Sequence, residues 1–562
     1  MKRCPECRRD YFDDSLVYCL DDGATLLEGP SSLGDADTAI LAGTDPQSDV
    51  LTRRQLHDTD KTAILPAPKE KTSRATTLVV AGIVAIVGIV GLFGYRQFRA
   101  ASTGQINSIA VLPFENQSGN ADYEYLSDGM TESLMNSLSQ LSNLSVKARS
   151  SVFRYKGKQF DPLAVGKELG VQAVLSGRVS QRGDQLSLSL DLADARTGDQ
   201  IWGQQYTRKA GELAALQTEM ARDVSQKLRE KLTGEQQKSV TRNQTQDTEA
   251  YQLYLQGRFQ WNKRRFDSNK KAIELFQQAI EKDPSYAMAY VGLAECYVTG
   301  FLSHRERKPK VEAAAAKALE LDPTLGEPHA VLGIMRTSDF EYSAGEAEFK
   351  RAIELNPNYA TAYHWYGEAL AVQGRFDESF AQYKKALELD PLSLAIGTDL
   401  GITYYLARQP DRAIEHLRKL VDLDPNYVRT HFYLAIAYRE KGKFDEAIDE
   451  LTTALLLEGE DPKRIELAKN ELHAAFKKGG AVGYWKKIVE FYELDLRSKV
   501  TIGPQDWARA YARAGMPDQA FQWIDKMFDE GAAAYAGFKV SPEWDPLRDD
   551  PRFADVLRRI RL

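Results

Sequence analysis

Three of the four cysteines fall within the first 19 residues, in Cys4-Pro-Glu-Cys7 and Tyr18-Cys19-Leu-Asp-Asp22. A CxxC pair turns tightly enough to aim two thiolates at one point, and a second knuckle completes the tetrahedron that zinc prefers. Here Asp22 stands where a fourth cysteine would be. A carboxylate oxygen is a permitted ligand, so Cys4, Cys7, Cys19 and Asp22 are the candidate ligands of a closed, structural Zn2+ site. A metal-free knuckle packed by Tyr11, Leu16 and Leu26 is the other reading. Nothing else in the chain has the spacing of a reactive centre. The seven histidines are scattered without an HExxH pair, and none lies between Arg99 and Arg265. Ser150, Ser151 and Asp128 therefore read as capping and turn residues rather than as a triad. Gly157 and Lys158 lack the Walker spacing. The fourth cysteine, Cys296, reads as a small buried hydrophobe. No catalytic residue is expected, and the protein is not expected to be an enzyme.

The segment 1–27 resembles the short zinc ribbon that opens many bacterial membrane-anchored proteins, with CPxC, an aromatic pair at Tyr11 and Phe12, and then YCxxDG. Residues 28–74 are rich in Gly, Ser, Thr, Asp and Pro and read as a flexible linker. Within it the tetrapeptide Thr-Ala-Ile-Leu occurs at Thr38 and again at Thr62. The spacing resembles ligands of phosphothreonine-reading domains, although coincidence in a biased segment explains it more simply. Residues 75–95, ATTLVVAGIVAIVGIVGLFGY, carry no charge and are long enough to cross a hydrocarbon core of about 30 Å. Lys61, Lys69, Lys71 and Arg74 precede this transmembrane helix, and only Arg96 and Arg99 follow it. The positive-inside rule then places the N-terminus in the cytoplasm and the bulk of the chain outside it, at the bacterial inner membrane. Ala81, Ala85, Gly88, Gly91 and Gly94 could seat the helix of a second copy, as a homodimer.

From residue 106 the pattern turns α/β. Ser108–Phe114 is a short buried-strand run, and Leu144–Ala148 reads as another strand. Leu186, Leu188, Leu190 and Leu192 alternate strictly, so one strand face is buried and one wet. Ser127 and Asp128 are candidate N-caps for a helix carrying Met130, Leu134 and Leu138. A helix over 211–232 presents Leu213, Leu216, Met220, Val224 and Leu228 on one face. The blocks SIAVLPFENQSG, YLSDGMTESL, VKARSSVFRYKGK, VGKELGVQAVLSGRV and DARTGDQIWGQQY resemble the TolB N-terminal-like domain over 106–232. That resemblance implies a non-catalytic, extracytoplasmic α/β domain.

Proline then marks a period. Asp/Asn-Pro dipeptides end at Pro284, Pro323, Pro357, Pro391, Pro425 and Pro462, with spacings of 39, 34, 34, 34 and 37. A 34-residue period is the tetratricopeptide unit, a helix–turn–helix. Gly333, Gly367 and Gly401 sit where two helices approach, and Phe276, Phe349, Tyr383 and Leu417 fill the space between them. The extra residues before Pro323 read as a loop insertion around Ser303–Lys310. The resemblance to tetratricopeptide proteins covers 247–535, clear to 462 and degenerate after, and 536–562 reads as a C-terminal cap. The first helix of each unit lines the concave face of such a superhelix. On that face His364, Glu368, Thr398, Tyr405, Arg429, Phe432 and Arg439 are the candidate partner-binding residues. The paired Lys and Asn with which relatives clamp a C-terminal carboxylate are absent from the matching sites.

Over 562 residues the chain is 43% hydrophobic and 27% charged, with net charge −7. No basic excess is available to neutralise phosphates, so nucleic acid is not an expected partner. Four cysteines cannot staple a disulfide scaffold of this size. The expected architecture is multidomain: a zinc-ribbon-like knuckle, a single transmembrane helix, a TolB-N-like α/β domain and an all-α tetratricopeptide superhelix. The expected function is non-enzymatic binding of protein or peptide partners on the repeat groove, in signalling or envelope-complex assembly. An accessory subunit of an envelope transport or secretion machine is the alternative.

Overall fold

The computed structural model describes residues 106–562, apart from 142, 229–244, 264, 301, 498–501, 532 and 534–535, together with three short strands near the N-terminus. Those strands, β1 (Lys2–Arg3), β2 (Asp10–Tyr11) and β3 (Leu27–Glu28), form an antiparallel sheet in the order β2-β1-β3. The four candidate zinc ligands, Thr38, Thr62 and the apolar segment 75–95 lie outside the described residues.

Apolar runs set the second sheet. It contains β4 (Ser108–Val111), β5 (Glu115–Asn116), β6 (Ser145–Val146), β7 (Ala173–Arg182), β8 (Gln185–Asp194) and β9 (Gln200–Lys209). Their order is β6-β4-β7-β8-β9, with β5 also paired to β7. The β6, β4, β5 and β7 pairings are parallel, and β7-β8-β9 is an antiparallel meander. The alternating leucines of β8 are all buried, as their period requires. The helices of this domain are α1 (Glu124–Ser139), α2 (Arg149–Val152), α3 (Pro162–Leu169) and α4 (Leu213–Leu228). Leu213, Leu216, Met220, Val224 and Leu228 of α4 all enter the core. Ser127 and Asp128 do not cap α1. A 3-10 turn over Ala121–Tyr123, capped by the Asn120 side chain, feeds directly into the helix, so it begins earlier and both residues lie inside it, buried.

The rest is helical: α5 (Thr248–Asn262), α6 (Phe266–Lys282), α7 (Ala287–Thr299), α8 (His304–Leu321), α9 (Glu327–Ser338), α10 (Tyr342–Leu355), α11 (Ala360–Val372), α12 (Phe376–Leu389), α13 (Leu394–Leu406), α14 (Pro410–Leu423), α15 (Val428–Glu440) and α16 (Phe444–Leu457). They pack as successive antiparallel pairs. A Cβ on Gly333 would lie 2.8 Å from Phe349, and one on Gly401 would lie 2.5 Å from Leu417. The glycine thus admits the large side chain of the second helix in each unit. The chain continues through α17 (Pro462–Arg497, broken at Gly480), α18 (Pro504–Arg513), α19 (Pro517–Asp529), a 3-10 turn over Pro542–Leu547 and α20 (Pro551–Arg559).

Two details of the period differ from expectation. The extra residues near Ser303 do not form a loop. Ser303 and Glu306 make a capping box that starts α8 there, so the insertion extends this helix to 18 residues against 14 in α10, α12, α14 and α16. Pro462 does not directly follow the end of a helix, as the five earlier prolines of the period do. The preceding α16 stops at Leu457, before Gly459 with φ 92°, and Pro462 occupies the first position of α17, where its missing N–H costs nothing.

The last repeat folds back on the middle of the array. The turns between the two helices of successive units hold Phe340, Gly374, Arg408 and Gly442, all with positive φ. Glycine adopts that conformation freely, whereas Phe340 (φ 61°) and Arg408 (φ 63°) hold it at a cost. The C-terminal region packs against both of these turns, and Val540 reaches Gly374 as well. Phe340 meets Phe528 of α19 with ring centroids 6.1 Å apart, and Arg408 forks onto the Asp545 carboxylate. Arg513 of α18 adds an ion pair to Glu440 at 3.0 Å and donates to the Pro542 carbonyl at 2.8 Å. Arg408→Gly relieves the backbone while removing the fork. It is expected to change global stability by no more than about 1 kcal/mol while accelerating amide hydrogen exchange at Ser541–Asp545. Unchanged exchange there would show that the fork does not hold the return.

Candidate functional site

Helical spacing puts His364 and Glu368 of α11 on one face, four residues apart. The structure brings them together with Arg429 of α15 around Asp399 of α13, a residue the repeat pattern did not single out. His364 Nε2 donates to Asp399 Oδ2 at 2.8 Å. Arg429 donates to both oxygens of the same carboxylate, at 3.0 and 2.6 Å, and lies over the Tyr433 ring at 5.4 Å. Glu368 makes no hydrogen bond or ion pair among the described residues. Asp399 was legible in one respect: it is the sole charged residue of α13, and a lone acid in an apolar helix needs a cation.

The other candidates sit apart from this cluster. Thr398 is fully buried and shares a 2.8 Å hydrogen bond with Thr430. Tyr405 is buried, 3.4 Å from the Ser541 hydroxyl of the C-terminal return. Arg439 lies 4.9 Å over Trp485 and donates to the Tyr484 hydroxyl at 3.2 Å. Phe432 is partly exposed on the face that α15 shares with Arg429.

Environment divides the two carboxylates. Burial alone would raise Asp399, but the hydrogen bond from His364 and the charge of Arg429 outweigh it and hold this acid below the usual carboxylate range. Glu368 is pushed up to about 7, first by desolvation and then by the neighbouring Asp399 charge. Burial also raises the Tyr383 hydroxyl of α12, which feels both acids.

A second polar cluster joins the sheet domain to the repeats. Helices α1 and α5 approach so closely that a Cβ on Gly129 would stand 2.8 Å from Leu255. Beside that contact Arg258 of α5 lies buried between Glu132 of α1 and Glu295 of α7, with Nε 2.7 Å from Glu132 Oε1. Asn262 donates to Glu132 at 2.7 Å, and the Tyr359 hydroxyl donates to Glu295 at 3.0 Å. Arg258 and Arg149 hold Glu132 below the usual range against its desolvation. Asp128, expected as a cap, instead pairs with Lys156 at 2.6 Å.

Further along, the stretch after β6 docks on the corner between α12 and α13. Ser150 and Ser151 both donate to the Asp390 carboxylate, the latter at 2.6 Å, and Ala148 N donates to the Leu389 carbonyl at 3.0 Å. At the previous corner Asn358 donates to the carbonyls of Ser139 and Leu144, at 2.9 and 2.7 Å. Ser150 and Ser151 are thus docking groups, a role that becomes visible only when two segments some 240 residues apart meet. Cys296 is fully buried.

Among the described residues no group of three or more His, Cys, Asp or Glu is placed to hold a metal ion. Among the same residues no helix is long and apolar enough to cross a membrane.

Known families match along these elements. Residues 254–324 and 341–393 match one tetratricopeptide repeat model, and 404–472 match another. The chain therefore carries a tetratricopeptide array behind a small mixed-sheet domain. All strands of the second sheet fall within residues 105–226, which match the second domain of HilA/YgeH-like transcriptional regulators. Among individual proteins, a Rhizobium meliloti protein named "Putative adenylate cyclase 3" is 37% identical over 200 residues, covering 35% of this chain and 33% of that protein. The transcriptional regulator HilA of Salmonella typhimurium is 30% identical over 102 residues, 17% of this chain and 18% of its own. The chain thus spans about a third of the first relative and under a fifth of the second. The crystal structure of TTC0263, a tetratricopeptide protein of Thermus thermophilus, is similar at 19% identity and a TM-score of 0.30, over 34% of this chain and 99% of that one.

Two outcomes follow from the clusters. Removing one partner of a buried ion pair strands the others, so Arg258→Ala is expected to cost about 3–5 kcal/mol in urea unfolding. It should also expose α1 amides to exchange before those of α13. For Glu368, a pKa raised in the folded state contributes stability at low pH that is lost as pH rises through about 7. Glu368→Gln is therefore expected to gain stability relative to the parent between pH 5 and pH 8. A constant difference across that range would show that the carboxyl is not desolvated.

Proposed function

We propose that this protein is a non-enzymatic scaffold that binds protein or peptide partners in the groove lined by α11, α13 and α15. The observation that carries this reading is the repeat array itself, matched by family models and built as paired helices. The Arg429 side chain remains 41% exposed there, while its head is fixed on Asp399. Fixed polar groups on rigid elements are what orient an extended or helical ligand. The relatives support the same reading. Stretches of this chain recur in one protein named as an adenylate cyclase and another named as a transcriptional regulator. Partial matches to proteins with such different outputs suit interaction or sensing better than either chemistry.

The membrane part of the reading rests on the sequence. Residues 75–95 anchor the chain as a single span in the inner membrane, with the N-terminus cytoplasmic and the sheet domain and repeats extracytoplasmic. Cys4, Cys7, Cys19 and Asp22 would hold structural Zn2+ at the cytoplasmic end. The pairing of β1 with β2 supports this, because it brings together the two ends of the stretch that contains Cys4 and Cys7. Signalling or envelope-complex assembly is the role that fits these parts.

A photoreactive residue placed at Phe432 of the full-length protein in intact cells tests the groove. A discrete adduct is expected from this position and not from Leu467, which is 61% exposed on α17. Equal labelling from both positions would sink the assignment. Protease added to spheroplasts should degrade residues 100–562, and protection of that region would invert the topology.

A further inference from the structure

We infer that Glu368 is the anchor for a lysine or arginine side chain of the bound partner, so that the groove selects cationic segments. The inference rests on the groove being a peptide site, and it names what that site recognises. Every other charge near this carboxylate already has a partner. Both oxygens of Asp399 are taken, Oδ1 by Arg429 and Oδ2 by His364 and Arg429. Arg439 is held by Tyr484 and Trp485, and Arg509 of α18 pairs with Glu543 at 2.7 Å. Glu368 alone has neither hydrogen bond nor ion pair among the described residues, and it is partly exposed in the groove.

Four groups face it from the packed elements: His364 on its own helix, Tyr383 from α12, Asp399 from α13 and Arg429 from α15. Two carboxylates here meet one permanent cation, which leaves a negative excess when both are ionised. An incoming ammonium or guanidinium restores balance and supplies the charge-assisted hydrogen bonds that Glu368 lacks. A metal ion would need several ligands, and only one uncommitted carboxylate is present. A carboxylate or phosphate ligand would meet repulsion. The geometry therefore points to a single cationic side chain. Because Glu368 is half-neutralised near pH 7, binding of the cation must release a proton.

The test uses full-length protein in detergent micelles and a panel of fluorescein-labelled, N-acetylated decapeptides. Members share a Leu/Ser/Ala background and carry two lysines, two arginines, two glutamines or two glutamates. Fluorescence anisotropy is expected to show the lysine and arginine peptides binding at least tenfold tighter than the glutamine peptide at pH 8. That preference should shrink toward pH 6. In Glu368→Gln it should fall to about twofold or less and lose its pH dependence, with the melting curve confirming a folded chain. Binding of all peptides with equal affinity, or a preference unchanged in Glu368→Gln, would overturn the anchor while leaving the peptide groove standing. Failure of every peptide to bind would overturn both.

Discussion

The guanidinium of Arg258 is the interaction on which the joined architecture depends. It lies buried between Glu132 of the sheet domain and Glu295 of the next repeat. Neither carboxylate could be desolvated alone, because an unpaired buried charge costs several kcal/mol. With the arginine between them, and Asn262 and Tyr359 taking further oxygens, both are satisfied. Such an arrangement adds little net stability over apolar packing, but it fixes register. Helix α1 can meet α5 only where Glu132 faces Arg258, and Gly129 allows the backbones to come that near.

The same corners that give the array its period also receive the sheet domain. A helix ends at each Asp/Asn-Pro from Pro284 to Pro425, and the acid or amide before the proline turns back to bond its own loop. Its remaining capacity is used across the junction. Asp390 accepts from Ser150 and Ser151, and Asn358, just beyond Pro357, serves two carbonyls of the sheet domain. Asp283 accepts from Thr245 in the same way, just before α5. Corners made by helix termination thus also serve as contact points for the segments that precede the array.

Periodicity made much of this legible. Strict alternation located β8, and the glycine and aromatic positions located the close helix pairs, because both depend only on neighbours one turn or one strand away. Length errors arose where local capping overrode the period, at Ser303 and Pro462. The candidate groove was legible in part. His364, Glu368 and Arg429, read from the first helices of their units, do converge in space, while Asp399, which organises them, lies one position off the face the repeat spacing marks. The resemblance of Ser150, Ser151 and Asp128 to caps could not reveal their true partners, because those partners are distant in sequence and no spacing rule connects them.

The backward contact of the last repeat changes the mechanics of the array. An open solenoid lengthens and shortens like a coil, since each unit touches only its neighbours. Here Arg408 and Phe340 tie the end of the coil to its middle through Asp545 and Phe528. A coil tied in this way cannot stretch around a guest without first breaking the tie. The tie therefore couples the spacing of the intervening units to the packing of the C-terminal helices.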